Sequence, residues 1–308
     1  MNKKTVFFII KRLILAIFTI FLIATITFFV MNAIPGGPFN SEKAVSQETL
    51  AALNKKYGLD KPLMEQYINY MKNISHLDFG PSLKQKGRMV SDILLDGLAT
   101  SVKLGLAAAL LAIGLGIILG TTAAVFRKKT ADKAIMVFTT ASVAMPSFVI
   151  GTFLLIVFGL YLSWFPTNGA NQGGLVLPIV SLALYPTAYI TRLTRSSMLD
   201  TMGQDFIRTA KAKGVGKFGI IYKHTLKNAL IPVITYAGPM IAYIVTGSLV
   251  VEQIFSVPGL GRSFTSSIIN RDYMLIMGTT IVLATLIVIM NLVSDILYKI
   301  VDPRIDFS

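Results

Sequence analysis

The sequence predicts an all-α, polytopic membrane protein with six transmembrane helices and both termini on the cytoplasmic side. Three observations lead there. The chain is 54% hydrophobic and 14% charged, with a mean hydropathy of +0.67, where soluble domains carry about 25% charged residues. Six apolar runs come close to the roughly 20 residues that cross a bilayer. The net charge of +14 gathers in short segments between those runs, as in a chain oriented by its positive-inside loops.

The first run, Leu13 to Met31, follows Lys3, Lys4, Lys11 and Arg12. It exceeds the roughly 7–15 apolar residues of a signal peptide and has no small-x-small cleavage site. Residues 1–12 are therefore expected in the cytoplasm and 13–31 as a retained span. Residues 32–98 form the one long polar segment, expected as an extracytoplasmic helical layer. Glu48 to Tyr57 reads as a short helix stopped by Gly58. Asp60 is the expected N-cap of a second, with Pro62 in its first turn and Leu63, Tyr67, Tyr70 and Met71 along one side. Asp78-Phe79-Gly80-Pro81-Ser82 reads as a turn.

Five further spans are expected within a core of residues 99–302, over Leu104–Phe126, Ala134–Tyr161, Leu175–Ile190, Ala229–Val251 and Leu275–Tyr298. Residues 303–308 form a cytoplasmic tail. Pro178 and Pro186 bend the fourth span. Gly116 and Gly120 make a GxxxG pattern, a close helix contact. Arg127, Lys128, Lys129 and Lys133 follow the second span, whereas Ser163 to Gly174 carries no charge. Six spans put the strongly basic loops on one side.

The most basic stretch lies in the loop 191–228, between the fourth and fifth spans. After Arg192 and Arg195 it carries Arg208, Lys211, Lys213, Lys217, Lys223 and Lys227 against Asp205. Met202, Phe206 and Ala210 make an apolar stripe at i, i+4 and i+8. Gly214 follows, where a helix end favours left-handed backbone. Phe218, Ile221, Tyr222 and Thr225 then recur at helical spacing. Two short amphipathic helices around a turn form a docking surface for a partner protein; the alternative is a solvated loop whose lysines only fix orientation.

Several chemistries are excluded or disfavoured. The clustering of charge between spans argues against nucleic-acid binding. With no cysteine and only His76 and His224, no thiolate or histidine-rich metal site is expected. No ionisable residue sits centrally in a predicted span; Lys103 and Asp295 lie near span ends. This disfavours an ion-coupled carrier and an intramembrane hydrolase, and neither HExxH nor GxSxG occurs. A phosphate-binding loop needs glycine five residues before Gly216-Lys217 and Ser or Thr after it. Lys211 and Phe218 stand there instead, so any ATP must be used by a partner.

The basic loop resembles the EAA-type coupling loop of ABC importer permeases. Ala210, Gly214 and Leu226 keep the general pattern, in Arg208-Thr209-Ala210, Gly214 and His224-Thr225-Leu226-Lys227. Its departures match the B-type permeases of the oligopeptide/dipeptide/nickel group: Asp205-Phe206-Ile207-Arg208-Thr209-Ala210-Lys211-Ala212-Lys213-Gly214 and Lys223-His224-Thr225-Leu226-Lys227-Asn228-Ala229-Leu230-Ile231-Pro232. Further matches run in order along the chain. They include Ile34-Pro35-Gly36-Gly37-Pro38, Asp78-Phe79-Gly80-Pro81-Ser82, Met145-Pro146-Ser147-Phe148, Phe255-Ser256-Val257-Pro258-Gly259, Asn270-Arg271-Asp272-Tyr273 and Asp302-Pro303-Arg304-Ile305. The Pro-Gly-Gly-Pro and Asp-Phe-Gly-Pro-Ser variants look most like oligopeptide permeases.

The resemblance implies a type I importer fold in the cell membrane, built with a homologous second permease, two cytoplasmic ATPase subunits and an extracytoplasmic peptide-binding lipoprotein. This chain would bind no cofactor, ATP and Mg²⁺ being held by the ATPases. Asp205, Arg208 to Gly214, Val215, Gly216, Phe218, His224 and Leu226 would couple to an ATPase. Thr235, Tyr236, Tyr243, Thr246, Ser248, Tyr185 and Tyr189 are candidates for a path between the permeases; helix packing or interfacial anchoring is the alternative for each. Lys55, Glu252 and Arg262 would face the binding protein. A dipeptide or nickel-chelate permease, an ion-coupled carrier and a non-transport scaffold remain the other readings.

Overall fold

In a computed structural model the described residues are 3–35, 37–39 and 47–301. Gly36, the Asp302–Ile305 motif and the expected tail 303–308 lie outside them. The described regular elements are all helices: α1 (Lys3–Ala33), α2 (Gln47–Tyr57), α3 (Leu63–Ser75), α4 (Val90–Val125), α5 (Thr130–Ala144), α6 (Ser147–Leu154), α7 (Val176–Met202), α8 (Asp205–Ala212), α9 (Lys227–Ala229), α10 (Ile231–Val245), α11 (Leu249–Ile254), α12 (Leu260–Asn270) and α13 (Tyr273–Val301). Two π-helical stretches, Leu155–Tyr161 and Gly219–Leu226, follow α6 and precede α9. Five stretches are long and apolar enough to cross a membrane, or six if the bent α5–α6 pair counts as one span. The chain is an integral, multi-pass membrane protein. Its contacts divide it into two compact units, one reaching Ser101 and resuming at Pro258–Ile289, the other holding Val102–Val257 and the chain from Met290.

In the first unit, α3 lies along α1. Phe28 stacks on Tyr70 and Phe29 on Tyr67, each at 5.3 Å, and Thr25 Oγ1 is 2.9 Å from the Tyr67 hydroxyl. Aromatic pairs at such spacing add about 0.5–1.5 kcal/mol beyond the area they bury. Gly58, with φ +66°, ends α2 as expected. Asp60 does not cap α3: Pro62 precedes the first helical residue and no side chain caps it. The proline's fixed φ starts the helix, and its carbonyl accepts from the N–H groups of Glu65 and Gln66. Helix α4 begins at Val90, well before its apolar run, because Val90, Ile93 and Leu94 are buried against Leu260 and Leu275.

Two motifs far apart in sequence meet in this unit. Asp272, buried at the start of α13, accepts from Leu275 N–H at 3.3 Å, as an N-cap does. Its carboxylate also accepts from the Ser82 hydroxyl and from the N–H groups of Leu83 and Lys84 at 3.1 and 3.3 Å. A buried carboxylate is tolerable only when surrounded by donors in this way.

In the second unit, α4 and α7 pack at glycine distance. A Cβ on Gly116 would fall 2.6 Å from Ile190 Cγ2, and one on Gly120 would fall 2.6 Å from the Thr191 carbonyl oxygen. The GxxxG pattern is thus a helix contact within the chain. Helix α7 runs through Pro186 to Met202, so Arg192 and Arg195 stand on a helix and not in a loop.

The expected span 134–161 is broken. Met145 is extended (ψ 130°), Pro146 lacks an N–H, and α5 meets the following helix at 107°. Each leg is about 22 Å long at 1.5 Å per residue. Two such legs at that angle reach about 27 Å end to end, close to the ~30 Å hydrocarbon core. Counted as one crossing, the pair gives six spans, and the positive-inside rule then groups the basic segments flanking α5 and α8 on one side.

Candidate functional site

The basic stretch folds as two short helical pieces around a left-handed turn. In α8 the buried residues are Ile207 and Ala210. Of the expected stripe of Met202, Phe206 and Ala210, Ala210 is buried as expected, whereas Met202 ends α7 and Phe206 is exposed, Ile207 taking its place. Asp205, Arg208, Thr209, Lys211, Ala212 and Lys213 are exposed around the helix. Arg208 and Asp205 approach at 3.4 Å, both in solvent, a pair that contributes about 0–1 kcal/mol.

Gly214 takes φ +78°. Its N–H donates to Lys211 O at 3.0 Å, and Val215 N–H donates to Ala210 O at 3.2 Å. These are the two bonds of a Schellman ending, in which the left-handed residue is the C′ position. Val215 then lies half-buried while Gly216 is exposed in ordinary backbone.

Beyond Gly216 the α-helical spacing expected of Phe218, Ile221, Tyr222 and Thr225 gives way to π-helix. Its i→i+5 bonding buries Ile220 and Thr225, five residues apart. Phe218, 75% exposed, and the exposed Tyr222 face solvent with ring centroids 4.5 Å apart. His224 and Leu226 are half-buried. The segment therefore presents Phe206, Phe218 and Tyr222 among exposed Lys211, Lys213, Lys217, Lys223 and Lys227, backed by buried Ile207, Ala210, Ile220 and Thr225. Exposed aromatics on a rigid base with a cationic rim make an anchor for a partner's pocket.

The path candidates separate into two groups. Tyr185 and Tyr189 lie one turn apart on α7, exposed, and the Tyr189 ring stacks on Tyr236 of α10 at 4.3 Å. Tyr243 is 82% exposed further along α10. Tyr185, Tyr189 and Tyr236 form a hydroxyl-bearing aromatic surface. Thr235, Thr246 and Ser248 use their hydroxyls locally. Thr235 and Thr246 donate to the carbonyls of Ile231 and Tyr243, and Ser248 accepts from Val251 N–H as the N-cap of α11. Gly247, at φ +94°, makes the break before that cap.

Of the residues expected to face a binding protein, Lys55 is exposed and Arg262 half-buried. Glu252 is fully buried and cannot meet a partner; it sits in the first turn of α11, where a carboxylate suits the helix dipole.

One polar cluster escaped the sequence reading. Asp132, 4% exposed at the start of α5, holds Arg195 of α7 through two bonds of 2.7 and 2.8 Å. The signal was a single acid inside the basic run from Arg127 to Lys133. Charge counting alone marks Arg195 only for orientation.

Comparison with known proteins supplies the family. Residues 112–307 match the binding-protein-dependent transport system inner membrane component, and residues 5–81 match the N-terminal component of the same transport systems. The oligopeptide transport system permease protein OppB of Haemophilus influenzae is 44% identical over 303 residues, covering 97% of this chain and 99% of that one. The dipeptide transport system permease protein DppB of Bacillus subtilis is 44% identical over 299 residues, covering 97% of each. A crystal structure of an amino acid ABC transporter with histidines shares the fold at a TM-score of 0.53 and 16% identity, over 70% of this chain and 95% of that one. With the family pattern spanning residues 112–307 and relatives matched nearly end to end, the chain belongs to the binding-protein-dependent transport system inner membrane components.

Proposed function

We propose that this chain is the permease subunit of an ATP-driven importer of short peptides in the cell membrane, most like an oligopeptide permease. It would form the path with a homologous second permease, dock two cytoplasmic ATPases between them, and receive peptide from an extracytoplasmic binding lipoprotein. The observation that carries the reading is the near end-to-end similarity to oligopeptide and dipeptide permeases. The anchored aromatic surface at Phe206, Phe218 and Tyr222 supports it.

In this reading Phe218 and Tyr222 enter a groove on one ATPase and the lysine rim sets their orientation. Closure of the ATPases on ATP moves α8 and the helices joined to it, and the path alternates between the two sides of the membrane. The tyrosines of α7 and α10 suit a peptide, offering hydroxyls to its backbone and ring faces to varied side chains. ATP and Mg²⁺ belong to the ATPases, and this chain only transmits their movement.

The test is reconstitution with both permeases, both ATPases and the binding protein in vesicles. Peptide uptake should require ATP and both ATPases. Phe218→Ala should reduce ATPase co-purification about tenfold or more, since burying such a ring contributes about 1.5–3 kcal/mol. Uptake driven by a proton gradient without ATP would refute the reading.

A further inference from the structure

Two guanidinium groups tie α7 to α5. Arg195 donates from Nε to Asp132 Oδ1 at 2.7 Å and from Nη2 to Oδ2 at 2.8 Å. The same carboxylate accepts from Lys128 N–H at 2.9 Å, so its lone pairs face donors from its own chain end and from α7. One turn earlier on α7, Arg192 donates from Nε to Thr139 Oγ1 at 3.3 Å and from Nη2 to Thr140 Oγ1 at 2.7 Å. The second attachment lies about two turns further along α5. Two anchors at different heights resist both sliding and rotation, and a forked, planar group suits this better than lysine would.

The position of these anchors matters. Arg195 stands near the end of α7, and α8, with its aromatic surface, begins at Asp205 just beyond Met202 and Gly203. The other leg of the broken span is held elsewhere. Gly151 of α6 packs against Ser181 near the start of α7 and against Ile254 and Phe255 at the end of α11. Between the legs stands the Met145–Pro146 elbow, bent by 107°. One leg therefore belongs to the end of α7 that leads into α8, and the other to its opposite end.

We infer that Asp132, Arg195 and Arg192 form a clamp that joins α5 and the α8-proximal end of α7 into one lever. The lever turns about the Met145–Pro146 elbow and delivers movement of α8 to the middle of the membrane. The inference rests on the transport reading above. These are positioning residues, touching neither substrate nor nucleotide.

The test compares Asp132→Asn, Arg195→Lys and the exchange Asp132→Arg with Arg195→Asp in the reconstituted complex. ATPase co-purification and hydrolysis stimulated by the loaded binding protein should stay within about twofold of the parent. Peptide taken up per ATP hydrolysed should fall tenfold or more in Asp132→Asn and less in Arg195→Lys. The charge exchange should restore at least a third of it. Uptake and hydrolysis falling together with abundance would assign the pair a structural role only and overturn the lever; so would an unchanged uptake per ATP.

A second measurement does not depend on the cargo. The chain has no cysteine, so spin labels can be placed on exposed Val137 of α5 and exposed Asp200 near the end of α7 in the assembled complex. Their separation should be narrow in the parent and broad in Asp132→Asn. Equal widths overturn the clamp even if peptide uptake is confirmed. A narrow parent distance that broadens in the variant supports the clamp even if peptide proves to be the wrong cargo.

Discussion

Replacing Gly214 with valine isolates the geometry of the left-handed turn in the basic stretch. The residue sits at φ +78°, and a Cβ there would meet nothing within 4 Å. No packing clash within the chain contributes, so the cost is that of left-handed backbone alone. For a residue with a Cβ this is about 1–2 kcal/mol, and a β-branched residue is a genuine outlier in that region. Escape to ordinary φ would sacrifice the bonds from Gly214 to Lys211 and from Val215 to Ala210, re-aiming Phe218 and Tyr222 relative to Phe206. The cost is small for a multi-pass membrane protein but large for docking, where ~1.4 kcal/mol is a factor of ten. Gly214→Val should therefore reach the membrane at parental abundance yet lose about tenfold or more in ATPase co-purification and peptide uptake. Gly216→Ala is the control, since that glycine also has open space but no left-handed φ. Lys217→Gln is a second control and should change little. Normal transport by Gly214→Val, or its loss in Lys217→Gln, would show that charge and not turn geometry couples the subunits.

Three further outcomes are expected. Asp272→Ala strands the N–H groups of Leu83 and Leu275 and removes the acceptor of the Ser82 hydroxyl; at about 1–3 kcal/mol for each orphaned group, protease resistance of the segment around Ser82 should collapse. Gly120→Leu should halve accumulation or worse, because its Cβ position is 2.6 Å from the Thr191 backbone, whereas Gly114→Leu, with nothing within 4 Å, should accumulate normally. Cysteine at Ser163 should label from outside the cell and cysteine at Ser196 only after permeabilisation, while cysteine at buried Ser82 should react only on unfolding; outside labelling at Ser196 would overturn the orientation.

The apolar spans and the left-handed turn at Gly214 were legible because each depends on local rules. Apolar length marks a crossing, and glycine marks a left-handed position, at Gly58 and Gly214 alike. What stayed hidden depends on neighbours. Pro146 and Pro186 look equivalent in sequence, yet α7 continues through Pro186 and the chain breaks at Pro146. Periodicity points to Phe206 beside Ala210 as the buried side of α8, and the fold buries Ile207 in its place. A change from α to π winding moved the buried positions after Gly219 from spacings of three and four to five. The Asp132 clamp was invisible because its partner lies on another helix 63 positions away. The tyrosine surface could be nominated residue by residue, but that Tyr189 and Tyr236 stack required the fold.

The contact between Ser82 and Asp272 also sets an order of events during synthesis. The two residues are 190 positions apart, and chains elongate at roughly 5–20 residues per second. For about 10–40 seconds after Ser82 leaves the ribosome, the acceptor of its hydroxyl and of the Leu83 N–H does not exist. The polar segment before α4 must wait in water, or with an assembly factor, until the last helix arrives. A ribosome stalled before Asp272 would leave that segment open to proteases with every earlier span already in the bilayer, and completion of the last helix would close it.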